Sequence, residues 1–162
     1  MKDRVHLPVF GVGPLCVYPM ILLLIAGIIL RRHGYLDSGA VPGLRVPFAA
    51  AGAALICFGV YLWAQSVIVG KVADEIIRNH LVTTGVYSRV RNPIYSGIAI
   101  ALTGVSLFFY NLWFLLYPPV FWLNITLLMK ATEEKWLLEL YGDRYRDYCR
   151  RVNRCIPWFP RR

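Results

Sequence analysis

Four long apolar stretches dominate this chain, at about residues 12–30, 47–69, 93–110 and 112–129. Each is long enough and nearly free enough of charge to cross about 30 Å of hydrocarbon as a helix. Hydrophobic residues make up 57% of the 162, more than a soluble globular domain carries, and the excess is concentrated in these blocks. The expected fold is all-α: a polytopic membrane protein with about four transmembrane helices, one domain over residues 1–162, and an amphipathic helical tail on the cytoplasmic side.

The connections are short. The first block stops at Arg31-Arg32-His33, and the second opens on the small residues Ala49 to Ala54, which let helix backbones approach closely. Only Asn111 and its neighbours separate the third and fourth blocks, which predicts a tight antiparallel hairpin. Pro118-Pro119 is expected to kink or break the fourth helix. Gly97, Ala101 and Gly104 form a small-residue stripe, suited either to packing within the chain or to an oligomer. The apolar run near the N-terminus is longer than the core of a cleaved signal and lacks its cleavage site. The C-terminus has no prenylation box. Cys16, Cys57, Cys149 and Cys155 read as free thiols, with no CxxC pair or histidine at ligand spacing, so no metal is expected.

Charge sets the orientation. Net charge is +9, and the basic residues lie outside the blocks. With four spans, Lys2, Arg4, Lys71, Arg78, Arg89, Arg91 and nine more from Lys130 onward share one side, against Arg31, Arg32 and Arg45 on the other. That asymmetry places both termini in the cytoplasm. The basic face suits anionic lipid headgroups, and four spans between the charges exclude nucleic acid as the partner.

Two polar segments face this basic side, at about residues 79–97 and 130–158. In the first, Asn92-Pro93 is a helix start, an N-cap followed by proline at the first helical position. The exposed N–H groups of such a start can hold a carboxylate or phosphate. The bland alternative is a membrane helix anchored by Arg91. In the second, Glu133, Leu137, Tyr141, Tyr145 and Tyr148 recur at helical spacing. Gly142-Asp143 interrupts them, glycine as a terminator and aspartate as the next N-cap. Taken alone, this predicts two amphipathic helices on the membrane surface. Glu133 and Glu134 stand out: carboxylates at the lipid edge are costly unless paired or solvated. They are suited to a basic partner in the tail or to a cationic ligand.

Gly85-Val86-Tyr87, Arg91-Asn92-Pro93-x-Tyr95-x-Gly97, Glu133-Glu134-x-x-Leu137, Tyr141-Gly142-x-x-Tyr145-x-x-Tyr148 and Arg151-Val152 followed by Pro157 occur in that order. Together they resemble the isoprenylcysteine carboxyl methyltransferase family, whose wider group includes phospholipid N-methyltransferases. The likeness covers about residues 79–158, and the first two spans carry no such signature. It implies S-adenosylmethionine as methyl donor, with S-adenosylhomocysteine as product. By position, cofactor contacts would come from His80, Leu81, Val82, Tyr87, Asn92, Pro93, Ile94, Tyr95 and Glu134. The catalytic glutamate–arginine pair would be Glu133 and Arg151. The family's usual histidine before Pro93 is Asn92 here, which can cap and hydrogen-bond but cannot titrate.

The resemblance implies carboxylate O-methylation of a lipid-like or prenylated acceptor entering from the bilayer. Four spans suit a small prokaryotic relative in the inner membrane. Amine methylation of a phospholipid is the alternative chemistry. A non-enzymatic scaffold with a lipid-binding tail fits the topology but leaves the ordered motifs unexplained. Membrane sterol reductases share a similar C-terminal half and would use a nicotinamide cofactor, but this chain is short for one.

Overall fold

The computed structural model describes residues 12–70, 74–75, 78 and 80–158. Lys2, Arg4, Lys71 and the final residues 159–162 lie outside the described residues. The described residues form helices α1 (Gly13–Arg32), α2 (Arg45–Ala64), α3 (Pro93–Leu107), α4 (Tyr117–Ala131), α5 (Glu133–Tyr141) and α6 (Asp143–Arg151). A π-helical turn, Gln65–Val69, extends α2, and 3-10 turns occupy Gly85–Ser88 and Leu112–Leu116.

The protein is an integral membrane protein by its helices. Gly13–Arg32, Pro42–Val69 and Leu112–Ala131 are each long and apolar enough to cross a bilayer. The fourth apolar helix is shorter than the expected 93–110: α3 ends at Leu107. A turn through Phe108 and Phe109 stops it, and Tyr110 adopts φ +50°. Fifteen residues rise about 22 Å, less than a full hydrocarbon layer. Pro118 and Pro119 mark a break rather than a kink. They occupy the first turn of α4, after the 3-10 turn, where their missing N–H groups cost nothing.

Close backbone approach joins α2 to α3. A Cβ on Gly52 would lie 2.7 Å from the Gly104 carbonyl, and one on Gly59 would lie 2.4 Å from that of Gly97. The pairing of 52 with 104 and 59 with 97 makes the helices antiparallel. The small-residue stripe of α3 therefore serves packing within the chain. Helix α1 lies on the α3–α4 side, where Cys16, Met20 and Leu24 meet Phe114, Phe121, Ile125 and Met129 in a buried cluster. Three polar bonds reinforce it: Asn124 Nδ2 donates to Cys16 O (2.8 Å), Tyr117 Oη to Leu23 O (3.0 Å), and Val12 N–H to Glu133 Oε1 (3.1 Å).

The far loops are fastened by Asn111, which is fully buried. Its Nδ2 donates to Leu36 O at 2.7 Å and its Oδ1 accepts from Trp113 N–H at 2.9 Å. Beside it, Val41 N–H donates to Tyr110 O at 2.8 Å.

The tail does more than rest on the membrane. Gly142, at φ +55°, breaks it into α5 and α6 as expected. Asp143 is the first residue of α6 rather than its cap, and pairs with Arg146 at 2.8 Å. Tyr145, Tyr148 and Val152 point inward and form a small core with Leu81 and Leu137.

Candidate functional site

The site begins where the segment before α3 meets the end of the tail. Residues 89–92 and 153–158 run side by side: Arg91 N–H donates to Asn153 O (2.8 Å), Asn92 N–H to Arg154 O (3.1 Å), and Trp158 N–H to Arg89 O (3.1 Å). Val90 and Asn153 form a parallel bridge. Asn92 stands at the N-cap position of α3, but its side chain does not cap the helix. Its Nδ2 donates to Arg154 O at 3.1 Å, so the asparagine ties the tail down. Tyr148 Oη donates to Tyr87 O at 2.6 Å one layer above.

The two adjacent glutamates diverge. Glu134 is fully engaged: Arg154 grips it with a fork, Nε on Oε1 at 2.5 Å and Nη2 on Oε2 at 2.9 Å. Arg91 Nη2 adds a contact to Oε1 at 3.2 Å, and the Arg91 and Glu134 side chains are only 8% and 17% exposed. Arg91 Nη1 also donates to the Cys149 thiol. Glu133 accepts from Tyr95 Oη at 2.7 Å and Val12 N–H at 3.1 Å, both on Oε1. Its Oε2 has no hydrogen bond among the described residues.

Burial keeps the phenols neutral outside the membrane. It pushes Tyr87 up to about 12 and raises Tyr145 and Tyr148 as well. The hydrogen bond to Glu134 raises Arg154 further, and burial raises the Cys155 thiol.

Among the described residues, the buried Arg91 Nε and Ser96 Oγ on α3 have no hydrogen-bond partner. Helix geometry adds the N–H groups of Ile94 and Tyr95, which have no intrahelical acceptor because α3 starts at Pro93. The open N–H groups at the start of α3 and the carboxylate of Glu133 are linked through Tyr95, whose hydroxyl donates to Glu133 Oε1. A groove of about 530 Å³ runs from the last turns of α2 to the tail, lined by Phe58, Tyr61, Gln65, Val86, Arg89 and Trp158.

The sequence-derived residues do not all gather here. Asn92, Pro93, Ile94, Tyr95, Glu133 and Glu134 lie at the start of α3 and of α5, and Tyr87 in the 3-10 turn that precedes α3. Leu81 belongs to the tail core, and Val82 is half-buried. His80 is exposed, its Nδ1 2.5 Å from Glu75 Oε2. Arg151 is also exposed, its Nε 3.4 Å from Asp147 O. The guanidiniums of Arg91 and Arg154 reach Glu134, and among the described residues none reaches Glu133. Arg91 stood within the quoted motif, whereas nothing in the spacing singled out Arg154 or Val12.

Comparison with known proteins gives the family. A profile described as phospholipid methyltransferase matches residues 47–144. The match starts in the second span, so α2 carries family signal that its composition did not reveal. The chain is 32% identical over 113 residues to a protein-S-isoprenylcysteine O-methyltransferase of Schizosaccharomyces pombe, covering 65% of this chain and 48% of that protein. It is 35% identical over 92 residues to methanethiol S-methyltransferase 1 of Bradyrhizobium diazoefficiens, covering 51% of this chain and 31% of that protein. The chain thus spans about half or less of the length of these relatives. No solved structure matches it. With more than half of its length matched and its motifs in order, the chain belongs to the phospholipid methyltransferase family, and within it is isoprenylcysteine methyltransferase-like.

Proposed function

We propose that the protein is a membrane methyltransferase that uses S-adenosylmethionine and acts on a lipid-like or prenylated acceptor by carboxylate O-methylation. The observation that carries this reading is the Tyr95–Glu133 bond. It joins the start of α3, with its open N–H groups, to a carboxylate that keeps one oxygen uncommitted.

Bound S-adenosylmethionine supplies a methyl group on a sulfonium, activated for in-line displacement. The chain's own work is to bind, orient and exclude water. Ile94 and Tyr95 N–H groups suit a carboxylate, Glu133 Oε2 suits an ammonium, and the Tyr87 and Tyr95 rings suit the adenosine or the positive sulfur. Asn92, Pro93 and Glu134 hold the walls of this pocket in place. His80, Leu81 and Val82 lead into it. The groove beside α2 offers an apolar bed for the acceptor's tail, open to lipid at Phe58 and Tyr61. An acceptor carboxylate needs no general base, and exposed Arg151 can orient it from the aqueous side. The basic face and both termini are cytoplasmic in this reading.

Methylation at sulfur is the second reading, favoured by the methanethiol methyltransferase relative. A thiol or amine acceptor needs a base, a role for Glu133. The test is methyl transfer from labelled S-adenosylmethionine by detergent-purified protein to prenylcysteine analogues, alkanethiols and phosphatidylethanolamine. Labelled methyl esters of the prenylcysteines support the first reading and labelled thioethers the second. Normal S-adenosylmethionine binding in both Glu133→Ala and Tyr95→Ala overturns the site.

A further inference from the structure

The neighbouring glutamates show two uses of one side chain. Glu134 has both oxygens occupied by guanidiniums, the arrangement of a structural ion pair. Among the described residues, Glu133 has both of its bonds on a single oxygen, from donors far apart in the sequence: the Val12 amide just before α1 and the Tyr95 hydroxyl on α3. Being the first residue of α5, Glu133 has a backbone set by that helix, while its side chain keeps three rotatable bonds. Two donors on Oε1 restrict that freedom and leave Oε2 without a hydrogen bond among the described residues.

The start of α1 lies against Tyr95: a Cβ on Gly13 would be in ordinary van der Waals contact with the Tyr95 hydroxyl at 3.7 Å. Val12 is 6% exposed and Cys16 fully buried beneath it, so the amide is held within the core and away from water. The first helix otherwise looks like a plain membrane span, and the family match does not reach it.

We propose that the Val12 amide and the Tyr95 hydroxyl are paired positioning groups that lock Glu133 with Oε2 toward the reacting ligand, so that α1 completes the site. This rests on the methyltransferase reading above. Neither group needs to touch the ligand; both act through Glu133.

The test compares Val12→Pro, which deletes only the amide donor at a position where proline can start a helix, with Val12→Ala, which keeps it. Tyr95→Phe deletes the other donor without disturbing α1. Turnover of labelled S-adenosylmethionine is measured for each, alone and combined with Glu133→Gln, with helix content as the folding check. The Val12 amide's hydrogen-exchange rate is measured in wild type and Glu133→Gln. Expected is a turnover about tenfold lower in Val12→Pro than in Val12→Ala, and similarly lower in Tyr95→Phe. Both losses vanish in the Glu133→Gln background, and Val12 exchanges faster once the carboxylate is gone. If folded Val12→Pro matches Val12→Ala, or if the losses persist undiminished with Glu133→Gln, the positioning role is wrong. Wild type that neither binds S-adenosylmethionine nor transfers methyl groups overturns the methyltransferase reading itself, and the positioning role with it.

Discussion

The hydroxyl of Tyr117 fills the space that a side chain at Gly27 would need: a Cβ there would sit 1.8 Å from it. The Phe114 ring lies as close as 2.8 Å to the same point. Gly27 thus admits an aromatic ladder in which Phe114 meets Tyr117 edge-on at 5.1 Å and Tyr117 meets Phe121 at 5.5 Å. Gly27→Ala should push α1 off α4 and cost about 3 kcal/mol, the upper range of overpacking effects. Adding Tyr117→Phe should recover only part, because the ring carbons remain. Thermal denaturation in detergent, followed by helix signal, reads both.

The Glu134 cluster should respond unequally to its members. Glu134→Leu leaves two guanidiniums facing each other with no carboxylate between them. Arg91→Ala leaves the Arg154 fork intact. Removing one partner of a buried pair strands the other charge, so Glu134→Leu should cost about 4 kcal/mol and Arg91→Ala about half that. Chemical denaturation of the two variants checks the order. Equal effects would mean the cluster does not hold the tail as described.

Alkaline pH should loosen the tail. Tyr87, Tyr145 and Tyr148 hold their protons more tightly folded than unfolded, chiefly because burial disfavours the phenolate. The folded state therefore binds more protons between the ordinary tyrosine range and the raised one. Their contribution is complete below about pH 10 and is lost as pH rises toward 12, the value for Tyr87. Stability measured across that window should fall, and Tyr148→Phe should make the fall shallower.

Asn111→Ala should damage the side of the protein far from the candidate site. It removes two hydrogen bonds and leaves Leu36 O and Trp113 N–H without their partner. A cost of about 2–3 kcal/mol is expected from unsatisfied buried groups. S-adenosylmethionine affinity should stay unchanged in the folded fraction, as a binding isotherm corrected for unfolded protein would show.

Much of this was legible because it depends on local chemistry. Long apolar runs marked α1, α2 and α4, Asn92-Pro93 marked the start of α3, and Gly142 marked the break in the tail. What stayed hidden depends on where distant pieces meet. Arg151 and Arg154 are equivalent in composition. The end of α6 at Arg151 leaves the following residues extended, and it is these that lie alongside residues 89–92 and carry Arg154 to Glu134. Asn111 read as a spacer because its partner, Leu36, is in another loop. Pro118-Pro119 signalled a break correctly, but only the preceding 3-10 turn shows that α4 begins there. Gly27 had no neighbour in the sequence to explain it.

The bonds between α1 and the last helices also bear on how the chain is made. A ribosome delivers α1 well before Tyr117, Asn124 and Glu133, which bond it. The α2–α3 pair, close in sequence and joined glycine to glycine, can assemble as soon as α3 emerges. Until α4 and α5 follow, α1 has only its packing against α3 and lacks the polar bonds that fix its rotation. Its final rotation is set only once α4 and Glu133 are in place, so a product cut before α4 would insert in the membrane but leave α1 unregistered.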